Sequence, residues 1–123
     1  MVVSKPLGWS TITPRLITPD VSGLVAFLQS AFDAEGEEAV GRPSELRIGD
    51  SMLMVSDGGG IRAAMPAFLH LYVEDADQTY SKALGAGAVA VEAPADMPWG
   101  DRRATVTDAW GNVWQIATSA SGS

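Results

Sequence analysis

The sequence predicts an α+β fold in which two pseudo-symmetric βαβββ modules form a curved mixed sheet around a central cleft. Three observations carry this. A strand-like stretch ending in Thr18-Pro19-Asp20 leads into an apolar-striped helix and then a hairpin, and His70-Leu71-Tyr72-Val73-Glu74-Asp75 opens the same plan again. The two copies occupy residues 11–57 and 67–118, joined by a Gly-rich linker that begins Asp57-Gly58-Gly59-Gly60. A length of 123 residues with 46% hydrophobic content suits a single domain spanning 1–123 with a substantial core.

In the first module, residues 11–18 read as a strand. Asp20 or Ser22 caps a helix in which Leu24, Phe27, Leu28, Ala31 and Phe32 recur at helical spacing, ending near Gly36. Residues 37–42 are expected to form a short strand. Ser44–Ile48 and Met52–Val55 form a hairpin turned by Gly49-Asp50-Ser51. In the second module, Phe68–Val73 is a strand, and Asp75 or Asp77 caps a helix that runs to Leu84 and stops at Gly85 and Gly87. Residues 88–93 form a strand, Pro94–Asp101 a loop, and 102–107 with 112–118 a final pair turned by Ala109-Trp110-Gly111-Asn112. The glycines at 58–60 lack the strand-to-helix context of a phosphate loop and are read as linker.

Composition narrows the function classes. A formal charge of -7 disfavours nucleic acid and anionic membrane as partners, since both need basic patches. Absence of cysteine excludes disulfides, thiolate nucleophiles and sulfur-ligated metals. The opening Met1–Trp9 has no signal-peptide apolar run, and no stretch approaches the ~20 apolar residues of a membrane span. A cytoplasmic location is therefore expected, with Ser119–Ser123 as a frayed tail.

Side-chain alternation assigns faces. Leu46, Ile48, Leu53, Val55, Leu69, Leu71, Val73, Trp114 and Ile116 pack toward the helices. The opposite parity faces the cleft: Thr13, Arg15, Ile17, Glu45, Arg47, Met52, Met54, Phe68, His70, Tyr72, Arg103, Thr105 and Gln115. A single bulge would flip part of that set.

Several segments resemble a known superfamily. They are Glu45-Leu46-Arg47-Ile48-Gly49-Asp50-Ser51, His70-Leu71-Tyr72-Val73-Glu74-Asp75-Ala76-Asp77, Pro98-Trp99-Gly100-Asp101-Arg102 and Asp108-Ala109-Trp110-Gly111-Asn112-Val113-Trp114. Together they resemble the vicinal oxygen chelate superfamily, which includes glyoxalase I, extradiol dioxygenases, fosfomycin-resistance enzymes and bleomycin-binding proteins. The likeness is strongest to its PhnB-like branch, although Ala109 stands where a proline is usual. The resemblance implies the glyoxalase/bleomycin-resistance fold and a homodimer. It does not by itself choose among isomerases, oxygenases, transferases and sequestering proteins.

Metal-dependent members hold a divalent ion with His, Glu or Gln from four cleft-facing positions. The resemblance puts these at Thr13, Met54, Phe68 and Gln115, of which only Gln115 offers a credible oxygen. No metal and no cofactor are therefore expected. His70, two residues beyond Phe68, reads as a neutral hydrogen-bonding group, as a general base alongside Glu45, or as part of a displaced site with Glu45 and Gln115.

Arg15, Arg47 and Arg103 either clamp an anionic ligand or pair with Glu45, Glu92 or Asp101. Met52, Met54, Phe68 and Tyr72 offer soft apolar walls or simply fill the sheet face. Trp99 covers a ligand or packs at an interface, Trp9 packs across a dimer, and Trp110 and Trp114 are packing residues. Asp101 with Arg102 reads as a structural bridge, and Asp75 with Asp77 as a helix start.

The preferred expectation is a metal-independent protein that sequesters or carries a small molecule. Its ligand would meet Arg15, Arg47, Met54, Phe68, His70, Tyr72, Trp99, Arg103 and Gln115. The alternatives are a glyoxalase-like lyase or isomerase using His70 and Glu45, and a structural dimer whose cleft is filled by its own side chains.

Overall fold

A computed structural model describes residues 5–58 and 63–120; part of the Gly-rich linker and the last residues of the expected tail lie outside the described residues. The elements are β1 (Arg15–Ile17), α1 (Val21–Phe32), β2 (Ser44–Ile48), β3 (Ser51–Ser56), β4 (Phe68–Tyr72), α2 (Ala76–Gly85), β5 (Val89–Asp96), β6 (Arg102–Thr107) and β7 (Val113–Thr118).

The strands form two mixed sheets, ordered β1-β3-β2 and β4-β7-β6-β5. In each, the strand before the helix lies parallel to the last strand of its module, and that last strand runs antiparallel to its hairpin partner. Thus β1, β3 and β2 correspond to β4, β7 and β6. The α+β architecture of two repeated modules is as expected, with the strands divided between two sheets that share no ladder among the described residues. The modules join through α1 packed on α2, and a bridge from Ile17 to Met65 ties β1 to the chain leading into β4.

One expected element does not form. Residues 37–42 are loop, and the counterpart of β5 shrinks to one antiparallel bridge between Glu35 and Arg47. Gly36 and Gly41 adopt left-handed backbone (φ 120° and 80°), and the Ala39 N–H donates to the Ser44 hydroxyl instead of to a neighbouring strand. Val40 is left 94% exposed. Helix α1 also ends earlier than Gly36: Asp33 takes the left-handed conformation and the Ala34 N–H returns to the Leu28 carbonyl. At its other end Asp20 is the cap, accepting from the Gly23 N–H. Asp75 caps α2 by accepting from the Gln78 N–H.

One core serves both modules. Leu16, Leu24, Leu28, Leu46, Val55, Val106 and Ile116 are fully buried in it. Aromatic contacts cross the joint: Phe32 of α1 meets Trp114 of β7 at 4.8 Å between centroids, and Phe27 meets Trp110 edge-on at 6.4 Å. Both tryptophans are packing residues, as the sequence suggests.

The turn before β7 is held by Asp108, which is buried. Its carboxylate accepts from the Trp110 and Asn112 backbone N–H groups, the Asn112 side-chain amide and the Trp114 indole, at 2.9–3.0 Å. Asn112 in turn accepts from the Ala67 N–H, fixing β7 against the start of β4. This clasp sets the register that brings His70 opposite Gln115.

Candidate functional site

The outward face of the second sheet carries three rows of side chains across its strands. The first is Tyr72, Ala117, Arg103 and Ala95; the second His70, Gln115, Thr105 and Glu92; the third Phe68, Val113, Thr107 and Val89. Register shifts on either side of Glu92 in β5 are what bring Glu92 opposite Thr105. Along β4 the outward residues are exposed, Phe68 at 65% and Tyr72 at 63%, while Leu69 and Leu71 pack inward.

The middle row is hydrogen-bonded in two pairs. His70 Nδ1 lies 3.1 Å from Gln115 Oε1. An amide oxygen accepts, so in this bond the ring carries a proton on Nδ1, and the neutral ring presents Nε2 as an acceptor. The Thr105 hydroxyl donates to Glu92 Oε1 at 2.5 Å. The His70 ring meets Tyr72 edge-on at 4.7 Å, so imidazole and phenol form one aromatic step along β4.

Arg103 stands beside this row. Its guanidinium carbon sits 5.6 Å from the centroid of the Trp99 ring, which projects from the 97–101 loop and is 63% exposed. Its Nη2 is 3.9 Å from Glu92, and its buried Nε has no hydrogen-bond partner among the described residues. The neighbouring Arg102 faces the opposite way and forks onto Asp77 of α2 at 3.0 and 3.1 Å, with Asp96 at 3.3 Å. That fork holds the Asp77 carboxyl below its ordinary value and raises the guanidinium further. The bridge expected between Asp101 and Arg102 is therefore corrected: Arg102 joins Asp77 and Asp96. Asp101 instead accepts from the Ala120 N–H.

Phe68, His70, Tyr72, Arg103 and Gln115 thus belong to one sheet, with Trp99 on the loop between β5 and β6. Arg15, Glu45, Arg47 and Met54 belong to the other, where Met54 lies between Arg15 and Glu45 in register. Arg15 donates to the Ser56 hydroxyl at 2.9 Å, and Glu45 is 3.9 Å from Arg42. Gly8 abuts Arg47, since a Cβ there would come within 3.1 Å of the guanidinium. Among the described residues no hydrogen bond or ion pair joins Glu45 to His70. A cavity of about 680 Å³ lies between the modules, bordered by the β2–β3 turn, His70–Asp75 and the start of α2. Sequence reasoning missed Thr105 and Glu92 as a bonded pair, because the β5 shifts leave no mark in hydrophobic alternation.

The donor set does not fit a divalent metal. Met54 and Phe68 offer a thioether and a phenyl ring, Thr13 precedes β1, and Gln115 already faces His70. Among the described residues no group of three or more His, Asp or Glu side chains converges. No helix among them is long and apolar enough to cross a membrane.

Comparison with known proteins gives the same fold. The profile described as the Glyoxalase/Bleomycin resistance protein/Dioxygenase superfamily matches residues 11–116. An uncharacterized protein of Mycobacterium bovis is 32% identical over 122 aligned positions, covering 85% of this chain and 80% of that one. The crystal structure of TioX from Micromonospora sp. ML1 superposes with a TM-score of 0.75 at 25% identity, covering 89% of this chain and 98% of that one. A glyoxalase/bleomycin resistance protein/dioxygenase family enzyme from Burkholderia phytofirmans PsJN superposes at 0.71 with 20% identity, covering 85% and 94%.

Proposed function

The chain belongs to the Glyoxalase/Bleomycin resistance protein/Dioxygenase superfamily, and from that premise we propose that it binds a small molecule without a metal ion, as a sequestering or carrier protein. Within the superfamily we assign it to the PhnB-like branch, a reading supported by the resemblance of its 45–51, 70–77, 98–102 and 108–114 segments. The ligand lies on the outward face of β4-β7-β6-β5.

One observation carries this reading: the aromatic run Phe68–His70–Tyr72 is exposed beside a polar row whose hydrogen-bonding groups face outward. Exposed aromatics with a few fixed polar groups suit a flat, partly apolar ligand. Phe68 and Trp99 pack on it, while His70 and Gln115 orient it. The residues expected at the metal positions supply no donor set for a chelated substrate, which supports binding over metal-assisted chemistry.

The working form is a homodimer. The first sheet's outward face, with Arg15 and Glu45 exposed and Arg47 and Met54 half-buried, corresponds in register to the second sheet's, where Phe68, His70 and Tyr72 are exposed. A two-fold pairing that sets one copy's first-module face over its partner's second-module face closes a cleft around the ligand. Solution mass by light scattering tests this, and a monomer at all concentrations would refute it.

The function is tested by titrating the protein with a panel of neutral, cationic and anionic aromatic compounds. Saturable binding without turnover is expected, weakened in Phe68→Ser and in Trp99→Leu. A compound consumed by the protein, with turnover lost and binding kept in His70→Ala, would instead make it an enzyme that uses His70 as a base.

A further inference from the structure

Two consecutive arginines in β6 meet opposite fates. Arg102 has its forked donors engaged by Asp77 and a third contact to Asp96. The side chain of Arg103, one residue on and therefore on the other face, makes no hydrogen bond among the described residues, although it is only 20% exposed and its Nε is buried. Glu92 balances its charge from 3.9 Å but lies beyond hydrogen-bond range, and Glu92 Oε1 already takes the Thr105 hydroxyl. A buried N–H without an acceptor is costly, so a guanidinium held in this way is poised for one.

We propose that Arg103 and Trp99 form the anchor for a carboxylate carried on a flat apolar body, which makes the bound molecule an aromatic carboxylic acid. This rests on the small-molecule reading of the same face and names the ligand's class. The guanidinium carbon lies over the indole ring, 5.6 Å from its centroid, and the guanidinium's donors lie, as in any arginine, in its own plane. Two parallel N–H groups in that plane match the two oxygens of a carboxylate, whereas a tetrahedral phosphate presents a third oxygen out of it. An aryl ring attached to the carboxylate continues alongside the indole. A second anion near Glu92 is no obstacle, since Arg102 holds two carboxylates at once.

The rows fix how far the ligand reaches. Arg103, Ala117 and Tyr72 lie in register on adjacent strands, so the Arg103 and Tyr72 backbones are two strand spacings apart, about 10 Å. That span fits a bicyclic ring system with its carboxylate at one end. His70 and Gln115, in the next row, meet a polar substituent on the body of the molecule.

The probes are 2-naphthoate, its neutral analogue 2-naphthamide and 2-naphthyl phosphate, titrated by calorimetry into the full chain. Naphthoate is expected to bind at least about tenfold more tightly than naphthamide. Arg103→Met should abolish that difference by weakening naphthoate about 10- to 100-fold while leaving naphthamide within about twofold. Trp99→Leu, at an exposed loop position that does not threaten folding, should weaken both naphthoate and naphthamide.

Equal affinity for naphthoate and naphthamide would overturn the inference, as would equal weakening of both by Arg103→Met. Tighter binding of the naphthyl phosphate would overturn the choice of carboxylate. Dissociation of the dimer by Arg103→Met, with probe preference intact, would show that the guanidinium's partner is protein. If none of these naphthyl probes binds, the carboxylate anchor falls. The broader small-molecule reading falls only if the neutral and cationic panel also fails to bind.

Discussion

Asp108→Asn is the substitution whose cost the structure defines best. The carboxylate accepts four hydrogen bonds, two on each oxygen, from the Trp110 and Asn112 backbones, the Asn112 amide and the Trp114 indole. An asparagine has the same shape but only one acceptor oxygen. Whichever way its amide turns, an NH2 group faces two donors, and both lose their acceptor. Asn112 and Trp114 are 3% and 2% exposed, so water cannot replace the lost partner cheaply. Two stranded donors at about 1–3 kcal/mol each give a loss of about 3–4 kcal/mol. With a urea dependence of about 1.5 kcal/mol per molar, the unfolding midpoint should fall by about 2 M. Urea unfolding followed by far-ultraviolet circular dichroism at neutral pH measures this. A fall of less than about 0.5 M would mean that the clasp is not a stabilising network and that the argument from acceptor number is wrong.

Gly23→Ala should destabilise the protein by about 1–3 kcal/mol despite the better helix propensity of alanine, because its methyl would approach the Trp110 ring to 2.6 Å and crowd the Asp20 cap. A thermal melt checks this, and a gain in stability would refute the packing of Trp110 over α1. The Arg102–Asp77 fork should show in the acid limb of stability. Since the folded Asp77 carboxyl is held below its ordinary value of about 3.8, its contribution is complete above that pH and is lost as pH falls through the folded value. The difference in urea midpoint between the protein and Asp77→Asn should therefore close below about pH 4, and a gap that stays constant or widens there would contradict it. Phe68→Ser should leave stability within about 0.5 kcal/mol, its side chain being 65% exposed, while weakening ligand binding. A large loss in its melting temperature would assign Phe68 to folding rather than to the site.

Much of the fold is legible in the sequence because burial writes a period. Leu46, Ile48, Leu53, Val55, Trp114 and Ile116 alternate along their strands, and all six are buried. Leu24, Phe27, Leu28, Ala31 and Phe32 mark the helix, and each of these is buried as well. The alternation fails over residues 37–42, where glycine backbone and the Ser44 hydroxyl decide the path and leave no apolar signature. The outward face is half legible. Parity alone brings Phe68, His70, Tyr72, Gln115 and Arg103 to one sheet. The pairing of Thr105 with Glu92 depends on shifts in β5 that no local residue type dictates. The partner of Arg102 is not legible in the sequence, because Asp77 is 25 residues away and only the packing of α2 against β6 brings them together. That Met54 and Phe68 carry no chelating atom for a hard cation is legible directly, since it is a matter of chemical identity.

The most direct test of metal-independent binding is a thermal melt of EDTA-stripped protein. It would be recorded alone, with Zn, Ni, Mn or Fe(II) added singly, and with 2-naphthoate in the continued presence of EDTA. A ligand that binds only the folded state raises the melting temperature by mass action. The expected result is a saturable rise with the organic ligand under EDTA, lost in Phe68→Ser, and no saturable rise with any metal. A saturable rise with one metal, abolished by His70→Ala and by Gln115→Ala, would contradict the metal-free site and restore a chelating one.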